Sequence, residues 1–194
     1  MNVLNIHKRN THHGFTIVEL LIVIVVIAIL AAVSIAAYTS ISQRAKNTAI
    51  INAASQSLKM INAYIAQTGE YPLKSWACVT VVSGCHTNGS VQSAKTAFDS
   101  NMATIGSLPR SVPNDGDVDY GITYVYYAPI TYDGQSRPLM LRYYLLGKDQ
   151  KCGLPGVAVY VDSSNYGPSS TGYTYYSSSR NKTTCFVSVP GPAS

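Results

Sequence analysis

Charge is what this sequence has least of. Only 12% of its 194 residues are Asp, Glu, Lys or Arg, against about 25% in an ordinary soluble protein. That excludes a charge-rich disordered chain and a long soluble coiled coil, both of which need far more Glu, Lys and Arg. Glu19 and Glu70 are the only glutamates, and beyond residue 13 the one histidine is His86. No Gly-x-Ser-x-Gly, phosphate-binding glycine loop, Cys-x-x-Cys or close pair of metal ligands occurs. The sequence therefore gives no support to catalysis or to a bound cofactor. The net charge of +5 invites a nucleic-acid partner, but Lys8 and Arg9 precede a long apolar run and the other 12 bases face 9 acids without forming a cluster. Specific nucleic-acid binding is not expected.

The charges that exist are unevenly placed. Between Arg9 and Arg44 there is only Glu19, and residues 20–33 are fourteen consecutive apolar side chains. The apolar segment 15–37 is interrupted only by Thr16, Glu19 and Ser34. As a helix it measures about 34 Å, enough to cross a hydrocarbon core of about 30 Å. Basic residues ahead of it would hold the N-terminus in the cytoplasm and send the rest outward. A secretory signal would end in an Ala-x-Ala-like cut, which Ala31-Ala32-Val33-Ser34 imitates only loosely. Glu19 is the anomaly. A carboxylate inside a spanning helix costs on the order of 3 kcal/mol, so it signals a function and a partner unless it snorkels to headgroups.

Four cysteines, Cys78, Cys85, Cys152 and Cys185, all follow the apolar run. Their even number and spacing favour disulfides over zinc, and an oxidising, extracytoplasmic setting. Of the three possible connectivities, the local choice is Cys78–Cys85 with Cys152–Cys185.

The run Gly14-Phe15-Thr16-Ile17-Val18-Glu19-Leu20-Leu21-Ile22-Val23 resembles the processing and methylation motif of type IV prepilins and their pseudopilin relatives. The likeness is specific over residues 8–40 and architectural beyond. It implies that a prepilin peptidase removes the basic leader, residues 1–14, by cutting after Gly14, and that the new amine of Phe15 is methylated. It implies that Glu19 meets the positive N-terminus of a neighbouring subunit in a helical homo-oligomeric filament, where a buried charge is tolerated because it is paired. Many members carry Gly where this chain has Ala28 and Pro where it has Ala36. With the best helix former at both places, a straighter and more continuous N-terminal helix is expected.

The helix should run on to Thr68, making residues 15–68 one spine of about 80 Å. Ile51, Ala54, Leu58, Ile61 and Ile65 recur at helical spacing, with Asn52, Ser55, Gln56, Lys59, Asn62 and Gln67 opposite. Gly69 and Pro72 then stop it. Residues 69–194 read as an extracellular head. Ser90 is placed to cap a short helix bearing Val91, Ala94, Phe98, Met102 and Ile105, ended by Pro109. Residues 122–131 and 139–146 read as strands joined at Asp133-Gly134. Residues 157–161 are a third strand, with 173–176 and 185–189 as weaker ones. The fold class is α+β, with the second half of the helix packed on an antiparallel sheet. Twelve of the fifteen tyrosines follow residue 119 and fit half-buried strand positions better than a ligand platform. Residues 162–179 read as a polar loop. Asp115, Asp117 and Asp119 could surround calcium but lack the EF-hand register, so a solvated turn is the favoured reading and no metal site is assigned. The sequons at Asn88 and Asn181 read as turn residues.

The expected function is that of a type IV pilin, a non-enzymatic subunit of a retractable filament. It would start as a single-pass precursor in the cytoplasmic membrane, engage the peptidase and an assembly platform, and end in an extracellular pilus. Adhesion, twitching motility and DNA uptake all remain open. So do a pseudopilin of a type II secretion-like machine or minor tip pilin, and a single-span surface adhesin that never polymerises.

Overall fold

The computed structural model describes residues 14–80, 85–87, 90–93, 95–113, 119–127, 130–132, 134–160, 165–169 and 181–192. Among the described residues, two helices, α1 (Ile17–Thr68) and α2 (Thr96–Ala103), accompany ten strands. These are β1 (Ala77–Cys78), β2 (Cys85–Thr87), β3 (Ser90–Gln92), β4 (Ile122–Tyr126), β5 (Thr131–Tyr132), β6 (Gln135–Ser136), β7 (Leu139–Leu146), β8 (Val157–Tyr160), β9 (Asn165–Pro168) and β10 (Lys182–Ser188). The chain divides into two units, Met1–Ser42 and Gln43–Ser194, and α1 contributes to both.

The head is an eight-stranded sheet in the order β1-β4-β7-β10-β8-β9-β5-β6, with β2 and β3 forming a separate hairpin. β7 is the axis of the sheet. Its eight residues pair with β4 on one side and β10 on the other, both antiparallel. Leu139, Leu141, Tyr143 and Leu145 alternate along it and enter the same core as Ile50, Ala53, Ala54, Ile61 and Ile65 of α1, as the period of two in a strand requires. The second half of α1 thus packs on the sheet as expected. The buried stripe is broader than the apolar residues alone suggested: Ile51 and Leu58 are at its half-buried margin, while Asn47 and Ser57 are inside it. Ser57 is satisfied within the helix, its hydroxyl donating to Ala53 O at 2.8 Å. α1 ends at Thr68, where Gly69 takes φ 70° and donates its N–H to Ile65 O at 2.8 Å.

Several expectations need correction. Ser90 and Val91 are in β3, paired with β2, and do not begin a helix. α2 begins six residues later and has Lys95 as an N-cap without a side-chain bond; pairing with β2 took the residues a cap would have used. Phe98 and Met102 are buried from α2 as expected. The strand expected over 122–131 ends at Tyr126 and resumes only as β5. The tight turn with Gly134 (φ 71°) joins β5 to β6, not β4 to β7. Within the expected loop, β9 pairs in parallel with β5 and antiparallel with β8, while the other ladders among the described residues are antiparallel. The candidate strand at 173–176 lies outside the described residues. Of the strand tyrosines, Tyr126 and Tyr132 are half-buried as expected, whereas Tyr124 and Tyr143 are completely enclosed.

Candidate functional site

The N-terminal unit is built by its first turn. Thr16 precedes the helix and Glu19 is the third residue within it, so Thr16-Ile17-Val18-Glu19 forms a capping box. Glu19 N donates to Thr16 Oγ1 at 3.2 Å, while Thr16 N and Thr16 Oγ1 both donate to Glu19 Oε2, at 2.9 and 2.8 Å. Helix starts leave N–H groups without intrahelical acceptors, and here the carboxylate serves one while facing the positive end of the helix dipole. Glu19 was singled out from the sequence, but Thr16 was not. The signal that could have found it is the Thr-x-x-Glu spacing ahead of an apolar run.

Past Glu19 the helix carries no charged side chain until Arg44. An 18-residue window of α1 has mean hydropathy 3.3 and none of it is buried within the chain. Phe15 is 87% exposed and Ile17 85%. The one hydroxyl in residues 20–37, Ser34 Oγ, donates to Leu30 O at 2.7 Å, so it adds no unmet polar group to the helix surface. By length and composition α1 can cross a membrane.

The head's cysteines bond as the local pairing expected: Cys78 with Cys85, and Cys152 with Cys185. The first bridge ties β1 to the β2–β3 hairpin. The second pins β10 to the connection between β7 and β8. Buried phenols do comparable work. Tyr124 Oη donates to Leu73 O at 2.6 Å, and Tyr143 Oη donates to Cys152 O, also at 2.6 Å. Burial holds both phenols well above their usual ionisation range, Tyr124 in spite of its bond to Leu73.

The acidic turn is only partly described. Asp115 and Asp117 lie outside the described residues, and Asp119 is buried rather than solvated. Its carbonyl accepts a bond from Lys182 Nζ at 2.5 Å, and Lys182 is itself 2% exposed. Among the described residues no group of three or more His, Cys, Asp or Glu side chains could hold a metal. Asn181, with φ 49°, is an exposed turn residue as expected, and its carbonyl accepts from Gly147 N.

A family model, the prokaryotic N-terminal methylation motif, matches residues 9–35. The chain carries a prepilin-type motif. Over 88 residues it is also 32% identical to the fimbrial protein EcpC of Eikenella corrodens, covering 44% of this chain. The chain spans 58% of the length of that curated relative. No solved structure matches the chain. Motif, fold and relative together support membership in the pilin and fimbrial superfamily, and the motif with its apolar helix supports a membrane-associated precursor.

Proposed function

We propose that this chain is the structural subunit of a type IV pilus, made as a membrane-anchored precursor and packed by its N-terminal helix into a surface filament. The observation that carries the reading is the junction of Gly14-Phe15 with a capped Glu19 at the head of a fully exposed apolar helix. An ordinary anchor needs the helix but neither the Gly-Phe step nor the carboxylate. Removal of residues 1–14 by a prepilin peptidase leaves Phe15 with a free amine, which is methylated. The Thr16 amide remains an amide after that cut, so the capping box survives it. Glu19 then pairs with the N-terminal amine of a neighbouring subunit, an ion pair formed where apolar helix surfaces exclude water and its strength is greatest. Burying α1 among copies of itself replaces lipid contact, and the head forms the filament exterior. The chain performs no catalysis, and its work is assembly through an assembly platform. Extension and retraction serve adhesion, twitching motility or DNA uptake.

The deciding experiment is mass spectrometry of the N-terminus in sheared surface filaments. A chain beginning at methylated Phe15 supports the pilin reading. A chain retaining Met1–Gly14 and found only in membranes refutes it in favour of a permanent anchor. Glu19→Ala should be processed normally yet yield at least about tenfold fewer filaments, the least loss expected of one desolvated ion pair. Normal filament yield from that variant would remove the pairing role.

A further inference from the structure

Within the Gln43–Ser194 unit, the two ends of α1 carry opposite charge. At the first end, Arg44 lines an open cleft of about 490 Å³ with Ile51 of the same helix, Leu145 of β7, and Asp149, Gln150 and Lys151 of the connection that follows β7. Hydrogen bonds fix that connection: Gln150 N donates to Thr183 Oγ1 at 3.0 Å, and Gln150 Nε2 donates to Lys148 O at 2.8 Å. Among the described residues, neither Arg44 nor Lys151 has an ion-pair or side-chain hydrogen-bond partner. Asp149 is the single acid on the lining against these two cations, so the cleft is net positive.

At the other end the sign is reversed. α1 finishes at Thr68 with no basic residue in its last turn, so nothing in the helix offsets the negative end of its dipole. Glu70 follows directly and is exposed, in a turn fixed by a bond from Glu70 N to Thr68 Oγ1 at 3.2 Å. A carboxylate just past a helix C-terminus is unfavourably placed, and among the described residues no cation pairs with it. The other described acids of this unit are engaged or enclosed: Asp99 is bound by Arg110 at 2.8 Å, Asp119 is buried, and Asp149 lines the cleft. Glu70 is therefore the exposed carboxylate that a cation from outside the chain would stabilise most.

We propose that the cleft of Arg44 and Lys151 receives Glu70 of a second copy of this chain, displaced along the α1 direction. The inference rests on the filament reading above and names the surfaces through which heads meet. Arg44 and Thr68 are separated by 24 positions of α1, about 36 Å of rise, so Glu70 does not reach the cleft of its own chain. A contact between two different surfaces is heterologous, and where its rotation does not close it propagates as a filament. Guanidinium and ammonium groups donate to carboxylate oxygens, and the apolar lining from Ile51 and Leu145 strengthens the pair by lowering the local dielectric. Subunits joined in this way are offset along α1 by roughly the same 36 Å.

The test is zero-length carbodiimide cross-linking of sheared surface filaments, which joins carboxylates to amines in contact, followed by mass spectrometry of the peptides. The expected product links Glu70 to Lys151, a bond that only two copies can form, and it is absent from Glu70→Gln filaments. Filaments in which Lys151 is joined to another carboxylate, to a different protein or to nothing overturn the proposal and leave the filament reading standing. Charge exchange is the second measurement. Glu70→Lys and Lys151→Glu should each lower filament yield about tenfold by setting like charges together, and the two combined should restore it. Single variants with normal yield, or a combination that restores nothing, overturn the pairing. If sheared filaments contain none of this chain, the filament reading fails and the proposal with it.

Discussion

The side-chain amide of Asn47, on α1, pairs with both backbone groups of Leu146, the last residue of β7. Asn47 Nδ2 donates to Leu146 O at 2.9 Å, and Leu146 N donates to Asn47 Oδ1 at 2.8 Å. The amide acts as one more peptide unit at the end of the strand. Gln43 Nε2 adds a second donor to the same carbonyl at 2.9 Å. This clasp fixes the register between helix and sheet at the end of the head where α1 enters it. The next residue, Gly147, has φ 91°, a left-handed conformation that favours glycine.

Replacing Asn47 by Leu should lower stability by about 2 kcal/mol, since two bonds are lost and the part-buried N–H of Leu146 is left without an acceptor. Asn47→Asp is the sharper variant. It keeps an acceptor for Leu146 N but sets an acidic oxygen against Leu146 O, and it should be the more destabilising of the two at neutral pH. Denaturant midpoints of the full chain in detergent, read by near-UV circular dichroism, would check both; equal effects would mean that the clasp is only a packing contact.

The two disulfides should contribute unequally. Cys152–Cys185 closes a span of 33 residues and Cys78–Cys85 one of 7. On loop-closure entropy alone these are worth about 4 and about 2 kcal/mol. The Cys152→Ser/Cys185→Ser variant should therefore lose more in urea midpoint than Cys78→Ser/Cys85→Ser, and the reverse order would point to strain or residual structure as the governing factor.

Alkaline pH should destabilise the head. An unfolded tyrosine ionises near pH 10, whereas burial raises the ionisation of Tyr124 and Tyr143 in the folded chain. The folded state thus holds protons that the unfolded state has released. Their contribution is complete below pH 10 and declines as pH rises above it. Tyr143→Phe removes one of these groups together with its bond to Cys152 O. It should be less stable at neutral pH but lose less on going from pH 9 to pH 11, which thermal melts at the two pH values would reveal.

Helix continuity gives a further expectation. α1 is helical from Ile17 to Thr68 without interruption, through both Ala28 and Ala36. Neither residue supplies the missing N–H or the backbone freedom that breaks helices. In an assembled filament the segment should stay wound, and a reconstruction showing it unwound between residues 28 and 37 would contradict this.

The sequence by itself determined the elements whose cause is local. Fourteen apolar residues can only be buried in lipid or protein, the period of 3.6 marks the packed face of α1, and Gly69 ends it because an αL position favours glycine. Residues 139–146 form a strand as read. The Gly14–Glu19 motif was also legible, being a matter of residue types at fixed spacing, although the Thr16 half of its capping box went unread beside the louder charge of Glu19. What the tertiary structure decided were the relationships that no local pattern encodes. Asn47 looks like a solvent-facing residue of a helix, and only the arrival of Leu146, ninety-nine positions away, makes it a core residue. Ser90 has the chemistry of a cap, yet β2 was there to pair with it. β9 is too short and polar to read as a strand and exists because β8 and β5 offer it two edges. A hydrogen-bonding side chain takes its partner from whatever the fold brings within about 3 Å. Apolar burial, which needs only removal from water, could be read from the chain alone.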